Sequence, residues 1–97
     1  MSHYIILWKF TEQGIKNVKD SPKRAETFKR TIEQAGGKLI GTFYTFGEYD
    51  GVSIVEASDD MIVMSSLLSV ENQGNARTVT FKAFTYDEVA KIIGSLI

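Results

Sequence analysis

Trp8, Thr42, Tyr44, Thr80, Glu56 and Lys82 are the residues best suited by type and placement to carry chemistry. All lie on strand-like segments, and the alternation of side chains along a strand predicts that they share one sheet face. Aromatic walls with a few convergent polar groups are how small-molecule sites are usually built. The expected ligand is small and either aromatic or weakly polar. Burial or a like-charged neighbour would shift Glu56 or Lys82 towards neutral pH and make it an acid or base. Both stand near strand ends, so the competing reading is a pair of solvated rim residues. Tyr49 and Asp50 occupy a turn between Gly47 and Gly51. They either line the mouth of the site or serve only the turn, where Asp50 can accept from nearby backbone N–H groups.

Other chemistries find little material. His3 is the only histidine and has no partner recognisable by spacing, so a serine-type triad lacks a base. Cysteine is absent, which removes disulfides, thiolate nucleophiles and thiolate metal ligands together. Asp59-Asp60 reads as a helix start and not as a metal site. Glycines 36, 37, 47 and 51 fall at turns without phosphate-loop spacing. Arg77 could clamp an anion, with a structural ion pair as the plainer reading. No catalytic residue, cofactor or metal is assigned.

These residues need a scaffold, and the chain supplies one domain over residues 1–97, 43% apolar and 24% charged. A net charge of -1 without a basic block argues against a nucleic-acid surface. There is no signal-peptide pattern and no apolar run near the roughly 20 residues that span a bilayer, so a cytoplasmic, membrane-free protein is expected.

Tyr4 to Phe10 reads as a strand, and Thr11 to Asp20 as a connection with room for one helical turn. Ser21-Pro22 opens a helix whose apolar face is Ala25, Phe28, Ile32 and Ala35, closed by Gly36-Gly37. Lys38 to Phe46 and Asp50 to Ala57 are strands around the Gly47-Glu48-Tyr49 turn. A second helix starts at Ser58-Asp59-Asp60, and Gly74 follows it. Arg77 to Phe84 is the fourth strand. Thr85 and Glu88 have capping-box spacing ahead of a C-terminal helix carrying Val89, Ile92, Ile93 and Leu96. The order is βαββαβ plus a helix: an α+β, ferredoxin-like domain with an antiparallel four-stranded sheet.

The run Phe46-Gly47-Glu48-Tyr49-Asp50-Gly51, with Tyr4-Ile5-Ile6-Leu7, Asp20-Ser21-Pro22-Lys23-Arg24, Gly36-Gly37-Lys38-Leu39 and Asn75-Ala76-Arg77-Thr78-Val79-Thr80, resembles the GYD-domain family. A glutamate stands between the signature glycine and tyrosine. The resemblance covers nearly the whole chain and implies a ferredoxin-like unit that pairs into a dimeric α/β barrel. The family itself implies no defined biochemistry.

Face composition gives a related expectation. One predicted face holds Ile5, Leu7, Leu39, Phe43, Val55, Ala57, Val79, Phe81 and Ala83, and should pack under the helices. The other holds Tyr4, Ile6, Trp8, Ile40, Thr42, Tyr44, Val52, Ile54, Glu56, Thr78, Thr80 and Lys82. The second face is too apolar for water, which predicts a homodimer or higher oligomer with facing sheets. The principal functional expectation is a homo-oligomeric module that binds a small molecule between those sheets. The alternatives are a cofactor-independent oxygenase or isomerase, by analogy of fold alone, and a self-assembly protein without a ligand.

Overall fold

Strand β1 (Ser2–Phe10) lies at the centre of the sheet because both of its faces are apolar. It pairs with β3 (Gly51–Ala57) on one side and β4 (Ala76–Ala83) on the other, while β2 (Lys38–Tyr44) closes the β3 edge. The order is β2-β3-β1-β4, and every pairing is antiparallel. The computed structural model describes residues 1–97.

Two helices cross one face of this sheet. Helix α1 (Glu12–Lys16) and a 3-10 turn (Val18–Asp20) lead into α2 (Ser21–Gln34), which returns the chain to β2. Helix α3 (Asp60–Asn72) links β3 to β4, and α4 (Tyr86–Gly94) follows the sheet. The expected helix signals operate with small shifts. Thr11 caps α1 by accepting from the Gly14 N–H, and Asp59 caps α3 through the N–H groups of Met61 and Ile62. Thr85 and Glu88 form the full reciprocal capping box of α4. Ser21 is not a cap. It is the first residue of α2, is buried, and turns its hydroxyl elsewhere.

The core contains Tyr4, Ile6, Val55 and Ala57 of the sheet against Ile32 of α2 and Val63 and Leu67 of α3. That packing corrects the face assignment. Register pairs Tyr4 with Val55 and Ile6 with Ser53, so these side chains share the helix-covered face. Trp8, opposite Thr78 of β4, joins them there, as does Thr80 opposite Ile6. The face holding Trp8 is therefore under the helices and is not the open one.

The open face instead carries Ile5, Leu7, Phe43, Val52, Ile54, Val79 and Phe81. Two physical causes account for the exchange. Both faces of β1 are apolar, so composition does not set the strand's phase. In β2 an irregularity between Leu39 and Gly41 breaks strict alternation. This bulge puts Leu39 with Thr42 and Tyr44, where unbroken alternation would put it with Phe43.

Phe43 and Phe81 remain 56% and 52% exposed on the open face. Helix α4 has no extensive packing partner in the chain, and its Val89, Ile92 and Ile93, with Leu96 just beyond its end, face solvent. Met61, Met64 and Leu68 do the same along the outer side of α3.

Candidate functional site

A cavity of about 230 Å³ lies between the sheet and helices α2 and α3. Its sheet wall is built from Ile6, Trp8, Phe10, Thr42, Tyr44 and Ser53, and its helix wall includes Arg24, Phe28, Thr31, Ser66 and Leu67. Trp8 is the central aromatic. The Phe10 ring meets it edge-on at 5.4 Å and the Tyr44 ring at 5.1 Å. Such edge-to-face pairs hold ring orientation as well as burying area.

The polar groups of this cavity mostly satisfy one another. Tyr44 Oη and Ser21 Oγ are 2.6 Å apart, which ties β2 to the start of α2. Thr42 Oγ1 and Ser53 Oγ form a second hydroxyl pair at 3.0 Å. Ser66 donates to the Ile62 carbonyl and Thr31 to the Thr27 carbonyl, each one helical turn back. Arg24 donates from Nη1 to the Asn17 carbonyl at 3.0 Å, while its buried Nη2 has no acceptor.

At one end of the sheet, the turn after β2 fixes the Trp8 wall. The Asp50 N–H donates to the Trp8 carbonyl at 2.9 Å, and its carboxylate accepts from the Phe10 N–H at 2.8 Å. One residue thus extends the β1–β3 ladder past the last regular pair, with its side chain standing in for a backbone acceptor. Thr45 closes the turn through its N–H to the Asp50 carbonyl and its hydroxyl to the Tyr49 carbonyl. Tyr49 lies under the Lys9 ammonium at 5.7 Å. Gly47 takes φ +101°, a conformation that side chains rarely adopt.

Residues 4–93 match the GYD domain. The chain belongs to the GYD-domain family. Over 97 residues it is 28% identical to the glutamine synthetase and cystathionine beta-lyase binding protein of Thermus thermophilus, covering 99% of each chain. A crystal structure of a Thermus thermophilus protein is 24% identical with a TM-score of 0.52, covering 88% of this chain and 95% of that one. At that identity the likeness concerns the fold, and it agrees with the ferredoxin-like α+β arrangement.

The GYD turn is thus the clamp on the aromatic end of the cavity, and the other predicted residues divide around it. Trp8, Thr42 and Tyr44 converge on the cavity. Tyr49 and Asp50 lie in the clamp, with the Asp50 carboxylate engaged by backbone. Thr80 shares the helix-covered face but lies outside the cavity lining, and its buried hydroxyl has no partner.

Glu56 is on the opposite face, where its carboxylate meets His3 Nε2 at 2.9 Å. Lys82 stands at the sheet edge, 3.2 Å from Asp60 Oδ1. Asp60 also accepts from the Tyr4 hydroxyl, so the three residues tie β1 and β4 to the first turn of α3. That contact holds the Asp60 carboxyl below its ordinary pKa, through the Tyr4 hydroxyl first and then Lys82. The same carboxylate raises the Tyr4 phenol.

Sequence reasoning missed Ser21, Arg24, Ser53 and Ser66 as lining residues. The signal for Ser21 was explained by helix capping alone. Ser53 and Ser66 are small polar interruptions within apolar segments, and that interruption is the one signal the sequence offered for them.

Proposed function

We propose that this GYD-domain protein is a small-molecule-binding module whose site is the cavity beside Trp8, and that it works as a homo-oligomer. The carrying observation is that aromatic rings and paired hydroxyls from β1, β2, β3 and α2 line one recess between the sheet and the helices. A concave, largely apolar space with a few convergent polar groups is the usual form of a small-molecule site. The hydroxyls bond to one another and not to an imidazole or amine, which favours binding over an oxygenase or isomerase reaction. Tyr44→Phe would remove the Ser21 partner and weaken binding by about 0.5–1.5 kcal/mol.

Self-association answers a separate need. Covering roughly 400 Å² of the Phe43–Phe81 sheet face would contribute about 10 kcal/mol before association costs. The exposed apolar residues of α4 would add to that area, towards the ~800 Å² per partner of a standard interface. A second copy placed sheet to sheet supplies both surfaces at once. This pairing uses the open face, so the Trp8 cavity stays within each subunit and apart from the contact.

The same open face supports a second reading. The Thermus thermophilus relative is named for binding two enzymes, and an apolar sheet with a free amphipathic helix suits a protein partner equally. A fluorescence and thermal-shift screen of single-ring acids, phenols and quinones tests the first reading. Trp8 emission should move, and the melting temperature should rise, for at least one class. A screen that leaves both unchanged removes the ligand reading and leaves the protein-partner one.

A further inference from the structure

If the cavity is a binding site, as proposed, its unused donors narrow the class of ligand it takes. We propose that the ligand is a single-ring aromatic carboxylate, with its ring beside Trp8 and its carboxylate directed to Arg24. An engineered apolar cavity of about 150 Å³ holds benzene. The 230 Å³ here therefore takes one ring with a short polar substituent. Trp8, Phe10, Phe28 and Tyr44 give that ring faces and edges to pack against.

A few donors of the lining remain unused. In the Ser21–Tyr44 pair one proton lies between the oxygens, and the other hydroxyl proton has no assigned acceptor. Thr42 and Ser53 repeat the arrangement. Arg24, whose Nη1 is bound to the Asn17 carbonyl, adds an Nη2 donor shielded from solvent and without a partner. Its side chain starts in the first turn of α2 and lines the cavity, which places the guanidinium at the wall a ligand would meet.

Among lining side chains, Lys23 and Arg24 are cations and Asp20 is the single acid, which leaves an excess of positive charge. A carboxylate supplies the missing acceptors to Arg24 and to the hydroxyls together. A phenol or a neutral amide offers fewer acceptors and no charge.

The experiment titrates benzoate, benzamide and benzyl alcohol into the full chain, reading Trp8 fluorescence, and repeats the series with Arg24→Gln and Arg24→Lys. Circular dichroism checks that both variants fold. Benzoate should bind at least tenfold more tightly than benzamide. Arg24→Gln should erase that preference, and Arg24→Lys should keep part of it. Equal binding of benzoate and benzamide overturns the carboxylate assignment while the cavity remains a binding site. A benzoate preference that survives Arg24→Gln also overturns it, because the charge is then read elsewhere. No binding of any of the three probes overturns both readings.

Discussion

The Trp8 indole lies across Gly51, so close that a Cβ added at residue 51 would sit 1.9 Å from Trp8 Cζ2. Trp8 and Gly51 are cross-strand partners, and the absence of a side chain on one makes the space for the other. The last glycine of the signature stretch is therefore a packing requirement of the cavity wall. Gly51→Ala should displace the indole and cost about 1–3 kcal/mol, as overpacking does. Denaturant midpoints and the Trp8 emission maximum would both report it. A variant with wild-type stability and unchanged emission would show that the indole has slack it does not have in this structure.

Gly47 makes a different demand. A Cβ there would meet nothing within 4 Å, yet φ is +101°. Gly47→Ala should therefore destabilise through backbone strain alone, by about 1 kcal/mol or more. Chemical denaturation of Gly47→Ala beside Gly47→Asn checks this, with asparagine expected to cost less. Equal stability of Gly47→Ala and wild type would mean that the turn relaxes freely.

Substitutions on the two sheet faces should have unlike outcomes. Phe81→Glu, on the open face, should yield a folded monomer in sedimentation at micromolar concentration. Trp8→Glu should instead lower the stability of the subunit itself, since it removes the ring that Phe10 and Tyr44 pack against on the helix-covered face. A wild-type protein that sediments only as a 10.8 kDa species contradicts the oligomer proposal.

Acid should loosen the ends of two helices. Asp60 is held below its ordinary pKa chiefly by the Tyr4 hydroxyl, and Glu88 by the Thr85 backbone N–H and hydroxyl. Both carboxyls bind protons less tightly when folded. Their stabilisation is thus present above the ordinary carboxylate range and lost as pH falls through the folded-state values. The Tyr4 phenol is raised, so its share is present below the ordinary phenol value and lost as pH rises through the raised one. Melting temperature should fall below about pH 4 in the wild type, and less steeply in Tyr4→Phe and Glu88→Gln. Parallel acid limbs for all three proteins would contradict these assignments.

The order of elements was legible because its punctuation is chemical. Pro22, Gly36-Gly37, Gly74 and the Thr85–Glu88 box each act locally, and each stands at or beside the boundary it signals. The grouping of Trp8, Thr42 and Tyr44 was also legible, since those residues do share a face. Which face the helices cover was not. Ile5 and Leu7 are as apolar as Tyr4 and Ile6, so only the β1–β3 register and the docking of Ile32 and Leu67 decide it. Glu56 shows the consequence. Assigned by strand phase to the side of Trp8, it pairs with His3 on the other. Arg24 depends on tertiary placement entirely, because nothing in its neighbours marks a helical arginine as lining a cavity.

The most direct test of the cavity as a binding site is the two-dimensional NMR spectrum of labelled protein during titration with single-ring fragments. Binding at the proposed site should shift the Trp8 indole N–H and the backbone amides of Ser21, Arg24, Phe28 and Ser53 first. Amides of Phe43, Val79 and Phe81 on the open face should stay in place. Saturable shifts confined to the open face, or none at any fragment concentration, would contradict the account.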